Sequence, residues 1–313
     1  MSNITILSIE QIFRLGRLDI FEKCGTKAAI TDFAILLGGF VSGDSHASSG
    51  NELEDRTGYY WTKSSDGLGH IFGVDHNGSR SYHSSGRTAS ARPVLLYSDI
   101  NLISKDVVSG CAKISEIEYG EYPQKAVNKK LNDSLEKEYR KSRLKPTGKT
   151  YATDSRIWSE QNEDFLLKEH IEHEYEGKRY VRVKANFCDD KQTLSDGSIV
   201  KNEDYVWVEV EPISWLVDEK TGIVVSKKLL FSGVRFDGKD RYDGNFETTE
   251  MKMFLDNYFS KEIGVTDIKV MESDNKNVES IVEKEFETEE ELDDYIATKI
   301  AEARKRLTLL GKK

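Results

Sequence analysis

Two histidines in an acidic segment are the nearest approach to a metal-binding motif in this sequence. Residues 169–174 are Glu-His-Ile-Glu-His-Glu. On a helix, His170 and His173 would share a face and could bind zinc with a third ligand. The spacing matches neither H-E-x-x-H nor H-x-x-E-H, and the neighbouring residues are too charged for a closed pocket. We therefore interpret the segment as a solvated helix or loop and predict no metal site.

Motifs for nucleophilic or phosphate chemistry are also missing from the sequence. Cys24, Cys111 and Cys188 are far apart and form no C-x-x-C, which is typical of a reducing compartment. A catalytic Cys–His pair whose members come together only in the folded protein stays an open alternative, but no spacing in the sequence indicates one. Neither G-x-x-x-x-G-K-[ST] nor a strand followed by G-x-G-x-x-G occurs. The sequence predicts no enzyme and no cofactor.

Residues 61–87 have the composition of a binding surface, because aromatic, Arg and His side chains alternate there with Gly and Ser. The predicted binding residues are Trp61, Lys63, His70, Asp75, His76, Arg80, Tyr82, His83 and Arg87, with Asp66 and Asn77 beside them. The alternative is that this segment is an ordinary solvated hairpin whose large aromatic residues, Tyr60, Trp61, Phe72 and Tyr82, belong to the core.

Local patterns predict the elements that position these residues. Ser8 and Gln11 form a capping box before a helix over 8–22, and a second apolar helix is expected over 28–37. The expected strands of this half cover 58–62, 70–74, 79–84 and 92–97. Asp75-His76-Asn77-Gly78 is a strong turn signal between two of them.

A second unit is expected from residue 114 onward. Its predicted elements are a strand and turn at 117–123, a charged helix at 131–142, a polar loop at 143–163, strands at 180–187, 205–215 and 222–231, and a helix from Thr248 or Thr249 to Phe259. The segments Trp207–Val217 and Ile223–Leu230 are expected to pair as a hairpin. The predicted domains are 1–100, 114–265 and 266–313.

Charge restricts the partners of this chain. The net charge of −10 makes direct binding of nucleic acid unfavourable. Residues 271–297 hold 11 acidic and 2 basic residues, and Thr288 with Glu291 forms a capping box for a terminal helix. That helix either docks on the core or forms an interaction arm. The N-terminus has no basic region before an apolar stretch, and no apolar run is long enough to span a bilayer, so neither a secretion signal nor a membrane anchor is expected.

Two segments of the first hundred residues resemble the end of a C-type-lectin-like fold. They are Gly58-Tyr-Tyr-Trp-Thr62 and Gly86-Arg-Thr-Ala-Ser-Ala-Arg-Pro-Val-Leu95. This version of the fold occurs in formylglycine-generating-enzyme-like domains and in the variable proteins of diversity-generating retroelements. The resemblance implies an α+β protein with a C-type-lectin-like N-terminal unit. A mixed α+β unit with antiparallel strands and a C-terminal helix would follow.

Residues 118–124 and 207–218 are similar to an uncharacterised domain of Firmicutes and their phages. This similarity implies a phage or prophage accessory protein, or a bacterial surface-recognition protein. The cysteine usage and the lack of a secretion signal favour the cytoplasm of the host cell, and a location in the virion is compatible with them. The cysteine pair of formylglycine-generating enzymes and the H-x-x-x-H-x-E set of sulfoxide synthases are missing. So are the E-P-N, Q-P-D and W-N-D triplets of calcium lectins, since Glu211-Pro212 is followed by Ile213.

These observations favour a non-catalytic recognition protein that binds a protein or glycan partner through the lectin-like surface. One alternative is an intracellular inhibitor of a host defence system that uses an acidic surface, which is a form of host–virus interaction. Another is a structural virion protein that assembles as a homo-oligomer. None of these three functions involves binding to a membrane or direct binding to nucleic acid.

Overall fold

The computed structural model describes residues 4–12, 27–39, 41, 56–86, 88–96, 104–105, 114–154, 166–186, 193–218, 223–238 and 242–265. These ranges contain many strands and few helices, so the fold is a sheet-rich α+β fold. The strands are β1 Ile4–Thr5, β2 Ala29–Ile30, β3 Tyr60–Ser65, β4 His70–Val74, β5 Arg80–Ser84, β6 Thr88–Ala91, β7 Val94–Leu96, β8 Ser104–Lys105, β9 Ile114–Ala126, β10 Lys145–Asp154, β11 Leu167–Tyr175, β12 Lys178–Lys184, β13 Tyr205–Asp218, β14 Ile223–Ser226, β15 Lys228–Leu229 and β16 Phe231–Arg235. The helices are α1 Asp32–Leu36, α2 Lys129–Arg140, α3 Glu250–Phe254 and α4 Ser260–Glu262, with a 3-10 turn at Phe246–Thr248 and a π-helical turn at Leu255–Phe259.

Strands from both halves of the chain are combined in the same sheets. One sheet has the order β1-β7-β14-β13-β12-β11-β10, with β9 on the other edge of β13 and β8 on β9. A five-stranded sheet has the order β16-β6-β3-β4-β5, and β2 pairs with β15. The predicted segments 1–100 and 114–265 therefore share one core, because β7 pairs with β14 and β6 pairs with β16.

Helix α1 lies inside this core, and all five of its residues are buried. Thr31 begins the helix by accepting a hydrogen bond from the Ala34 N–H, and its own hydroxyl donates to the Leu229 carbonyl. The expected helix over 28–37 is shorter than predicted, because residues 29–30 form β2 and pair with β15. The backbone at Gly39 lies close against the end of α1, because a Cβ at this position would be only 2.7 Å from the Ala34 carbonyl oxygen.

Helix α2 covers the outer face of β12 and β13, close to the position predicted for the charged helix. Leu135 is fully buried there against Tyr180 and Trp207. Glu136 accepts two hydrogen bonds of 2.9 Å from the Arg182 guanidinium. The strand predicted at 205–215 is confirmed as part of β13. Both faces of β13 are covered, since Trp207 faces α2 while Val208 faces the main core.

Several local expectations are confirmed in atomic detail. The Ser8 N–H donates to Gln11 Oε1 at 2.8 Å, and the Gln11 N–H donates to Ser8 Oγ at 3.1 Å, as a capping box requires. Thr249 begins α3 by accepting from the Lys252 N–H. β13 and β14 form the expected hairpin. The terminal helix near 288–307, the unit 266–313 and the three cysteines lie outside the described residues.

Two expectations about residues 143–175 are wrong. The predicted polar loop contains β10, and the predicted helix or loop around the two histidines is β11. In a strand, residues three apart point to opposite faces, so His170 and His173 cannot share one metal ion. His170 packs edge-on against Phe33 in the main core, whereas His173 packs against Trp207 on the outer face.

Candidate functional site

The hairpin of β4 and β5 divides the predicted binding residues between its two faces. Three residue pairs share one face: His70 with Ser84, Phe72 with Tyr82, and Val74 with Arg80. Because side chains alternate along a strand, Ile71, Gly73, Ser81 and His83 point to the other face. A turn with Gly78 at φ +84° joins the two strands, as the sequence predicted.

Four side chains form a surface that we call the hairpin face: His70, Phe72, Arg80 and Tyr82. Arg80 and Tyr82 are exposed, whereas His70 is partly buried and Phe72 packs in part against the main core. Tyr82 is 61% exposed, compared with 44% for Tyr205 and 39% for Tyr139. Its ring lies edge-on to His70, with 5.6 Å between centroids. The Arg80 guanidinium lies 4.9 Å from the centroid of the Phe72 ring. The face thus combines aromatic surface, a cation and hydrogen-bonding groups, as binding sites do.

Asp66 holds one side of the hairpin face in place. Its Oδ2 lies 2.7 Å from His70 Nδ1, and its Oδ1 accepts hydrogen bonds from the backbone N–H groups of Leu68 and His70. Desolvation raises the pKa of the Asp66 carboxyl, but these donors outweigh it and hold the pKa below its usual value. Leu68, which is 74% exposed, extends the apolar surface at the adjoining turn.

The structure places the other predicted binding residues elsewhere. Trp61 is 1% exposed and belongs to the core, where its ring packs edge-on against Tyr59 and Phe236. The ring of His83 packs 4.9 Å from that of Tyr59, on the side opposite the hairpin face. Burial therefore removes Trp61 from a partner's reach, while the partly buried His83 lies on the face opposite the hairpin face.

Three further predicted residues lie on β3 or in the hairpin turn: Lys63, Asp75 and His76. Lys63 is half-buried on β3, and this burial lowers its pKa despite the nearby charge of Glu247. Asp75 and His76 form the hairpin turn, with 2.6 Å between His76 Nδ1 and Asp75 Oδ1. Arg87 lies outside the described residues. Of the nine predicted residues, the structure brings His70, Arg80 and Tyr82 together.

Packing on the inner face of the hairpin requires glycine at position 73. A Cβ on Gly73 would lie 2.1 Å from the Tyr59 hydroxyl oxygen and 2.3 Å from Cζ of that ring. We expect Gly73→Ala to destabilise the protein by about 3 kcal/mol, because the buried Tyr59 ring has to move. Urea unfolding measures this loss. Gly67→Ala is the control: it has nothing within 4 Å and only the strain of its φ of +74°, roughly 1 kcal/mol.

Two buried carboxylates were missed by the sequence reasoning. Asp32 is 3% exposed and accepts hydrogen bonds from the Ala126 N–H, the Ser195 N–H and the Ser195 hydroxyl. Glu262 accepts from the Ala152 N–H, and burial raises its pKa to about 8. The only signal for Asp32 was a charge in the otherwise apolar segment 28–37, and Glu262 carried no signal.

The buried polar groups around β10 and β11 form hydrogen-bonded pairs. Tyr151 donates its hydroxyl to Glu172 at 2.7 Å, and Thr153 Oγ1 lies 2.8 Å from His170 Nε2. Burial, together with the charge of Lys168, lowers the pKa of His170 to about 4, so the ring is neutral. Among the described residues, no group of three His, Cys, Asp or Glu side chains has the arrangement of a metal site.

A shallow groove beside β13 is the second surface feature of interest. Its volume is about 560 Å³, and it is lined by Gln124, Glu209, Val210, Glu211, Pro212, Ser214, Lys227, Lys228 and Leu230. Gln124 Nε2 already donates to the carbonyls of Glu211 and Pro212, and Lys227 pairs with Glu116. Gln124 and Lys227 are therefore already engaged within the protein.

Comparison of the chain with family models, curated proteins and solved structures gives no match. Within the described part of the chain, no helix has the length and apolar character needed to cross a membrane. The function is therefore inferred from the geometry of the described residues.

Proposed function

We propose that this chain is a non-catalytic recognition protein that binds a protein or glycan partner through the hairpin face. The observation that carries this proposal is the convergence of the exposed Arg80 and Tyr82 with the partly buried His70 and Phe72 on one face of the hairpin. Tyr and Arg dominate the energetics of many interfaces, because each combines a large contact area with a directed polar group.

The hairpin face is also held in position before a partner arrives. Asp66 fixes the His70 ring, that ring supports Tyr82, and Phe72 supports Arg80. Side chains that are already ordered lose less conformational entropy on binding, so more of the contact energy appears as affinity. Two short strands of a packed sheet carry the face, which favours a rigid presenter over a mobile loop.

The resemblance of residues 1–100 to C-type-lectin-like folds supports the same proposal, because such folds present loops and short strands on a rigid scaffold. The proposed setting is that of a phage or prophage protein, in the host cytoplasm or in the virion. The proposal requires neither a cofactor nor direct contact with nucleic acid or membrane.

Binding by the hairpin face predicts a strong effect of a double substitution. The labelled full chain would be applied to a glycan array and to an array of purified bacterial surface and phage-tail proteins. We expect Arg80→Ala with Tyr82→Ala to weaken binding to any retained partner at least about tenfold, since interface Tyr and Arg each typically contribute more than 1 kcal/mol.

A matched double variant, Arg143→Ala with Tyr205→Ala, removes the same residue types from exposed positions near α2 and on β13. It should keep full affinity. Unchanged binding by the hairpin-face variant would contradict the proposal. Equal loss of binding in both double variants, each still folded by circular dichroism, would contradict it as well, because binding would then not be specific to the hairpin face.

A further inference from the structure

The outer edge of β5 has no strand partner among the described residues, because the five-stranded sheet ends there. The orientation of its backbone follows from the turn. The Asp75 N–H donates to the Ser79 carbonyl at 2.9 Å, which makes these two residues a hydrogen-bonded pair. In an antiparallel ladder such pairs alternate with non-hydrogen-bonded ones. Ser81 and His83 therefore bond to β4, and the backbone groups of Arg80, Tyr82 and Ser84 point outward.

The same three residues have exposed side chains. The outward backbone groups and the hairpin face therefore coincide on one edge of the protein. Two outward-facing residues of a strand are about 6.8 Å apart, and each offers one N–H and one C=O. This spacing matches the groups of an extended peptide, whereas the hydroxyl groups of a glycan have no such repeat.

The charge on this edge restricts the peptide further. Arg80 lies over the Phe72 ring, and no carboxylate of the described residues forms an ion pair with it. A guanidinium that is supported by an aromatic ring and lacks a carboxylate partner favours an acidic side chain from outside. Tyr82 and Phe72 beside it favour a β-branched or aromatic neighbour on the incoming strand.

We propose that the edge of β5 binds an extended segment of a partner protein by β-strand addition, with an acidic side chain of that segment against Arg80. This inference rests on the proposed function and names its partner class. The added strand pairs with Arg80, Tyr82 and Ser84 and places alternate side chains over the hairpin face. Backbone hydrogen bonds supply affinity, and Arg80 supplies selectivity.

The test distinguishes the contribution of the β5 backbone to peptide binding from the contribution of its side chains. Ser84→Pro removes one outward N–H, at an edge position where proline is tolerated, whereas Ser84→Ala keeps that N–H and removes only a small exposed hydroxyl. The probes are immobilised eight-residue peptides of alternating Val and Thr with one Glu, Gln or Lys guest. We expect the full chain to prefer the Glu peptides over the Lys peptides at least tenfold, and Arg80→Glu to reverse this order.

Ser84→Pro should weaken peptide binding at least tenfold, and Ser84→Ala should stay within twofold of the unmodified chain. Should Ser84→Pro fail to fold, Glu peptides N-methylated at alternate residues replace it, since one of the two methylation registers must abolish binding. Equal binding of Glu and Lys peptides would overturn the proposal. Peptide binding that changes neither with Ser84→Pro nor with N-methylation of the peptide would overturn it too.

The experiment also distinguishes this inference from the proposed function. Glycan binding that is lost in Tyr82→Ala but kept in Ser84→Pro, with no peptide bound, would overturn strand addition and leave recognition by the hairpin face intact. A dimer of the full chain in sedimentation that Ser84→Pro abolishes would overturn the proposal in favour of pairing between two copies of β5.

Discussion

Replacing Asp32 by alanine is expected to cost about 4 kcal/mol of folding stability, because three hydrogen-bond donors lose one acceptor group. The carboxylate lies at the start of α1 and is 3% exposed. Its Oδ2 accepts from the Ala126 N–H at 2.8 Å and from the Ser195 hydroxyl at 2.6 Å. Its Oδ1 accepts from the Ser195 N–H at 2.7 Å.

The expected loss is large because the Ala126 N–H stays buried, and the two Ser195 donors partly buried, when the acceptor is removed. Burial raises the pKa of Asp32, and the hydrogen bonds from Ser195 and Ala126 and the charge of Arg56 oppose that rise. The carboxylate therefore tolerates burial only through these contacts. It also connects three segments distant in sequence, namely α1, the end of β9 and the loop that contains Ser195.

Urea unfolding of the full chain measures this prediction, with two control variants. Ser195→Ala removes one of the three donors and should cost about 1 kcal/mol. Asp196→Ala removes an exposed carboxylate that accepts from the Ser198 N–H, and should cost less than about 1 kcal/mol. A loss below about 1 kcal/mol in Asp32→Ala would show that water or neighbouring groups satisfy the three donors.

The elements that could be predicted from the sequence are those set by local chemistry. The Ser8–Gln11 capping box, the Asp75–Gly78 turn and the Thr249 cap each depend on residues within a few positions of one another. The valines at 206, 208 and 210 alternate with Trp207, Glu209 and Glu211, and this spacing marks a strand in the same way. Such signals identify elements, but they say nothing about which distant strands pair.

β10 and β11 were missed because their inward-facing residues are polar. His170 and Glu172 point into the core, where Thr153, Tyr151 and Thr147 satisfy them, while Ile171 is 47% exposed. The hydrophobic pattern of β11 is therefore inverted, and pattern-based reasoning predicts a solvated segment. Only the fold supplies the hydrogen-bond partners that make this burial tolerable.

The candidate site was predictable in composition but not in geometry. The mixture of His, Arg and aromatic residues in 61–87 indicated a binding segment, and the turn indicated a hairpin. The sequence does not show which face of the sheet the core covers. The register His70–Ser84 and Phe72–Tyr82 decides that, and it separates Tyr82 from Trp61 and His83.

Replacing Glu262 by glutamine is expected to stabilise the protein by several kcal/mol at pH 8 and to change the pH dependence of its stability. Oε2 of Glu262 and the hydroxyl of Tyr122 are both sealed from solvent, and these two side chains interact with each other. Burial raises the pKa of Glu262 to about 8, against the opposing effects of the Ala152 N–H, Lys149 and Tyr122. The native protein therefore holds this carboxyl group largely protonated at neutral pH.

The sign of the effect follows from proton binding in the two states. In the unfolded chain the carboxyl loses its proton near its ordinary pKa of 4.5, whereas the native state keeps the proton up to about pH 8. Its contribution is therefore fully present below pH 4.5, is lost as the pH rises toward 8, and changes no further above that. The total change is roughly 5 kcal/mol at 1.36 kcal/mol for each unit of pKa difference.

Glutamine has the shape of the protonated carboxyl and cannot lose a proton in this range. The Glu262→Gln variant and the unmodified chain should therefore have similar stability near pH 4.5 and diverge progressively up to pH 8. Urea unfolding at half-unit pH intervals measures the divergence, and Glu174→Gln, an exposed residue of β11, controls for the loss of one charge. Parallel stability curves would mean that Glu262 ionises in the native protein near its ordinary pKa. The contact between α4 and β10, which joins the end of the described chain to the sheet, would then have to tolerate a buried charge.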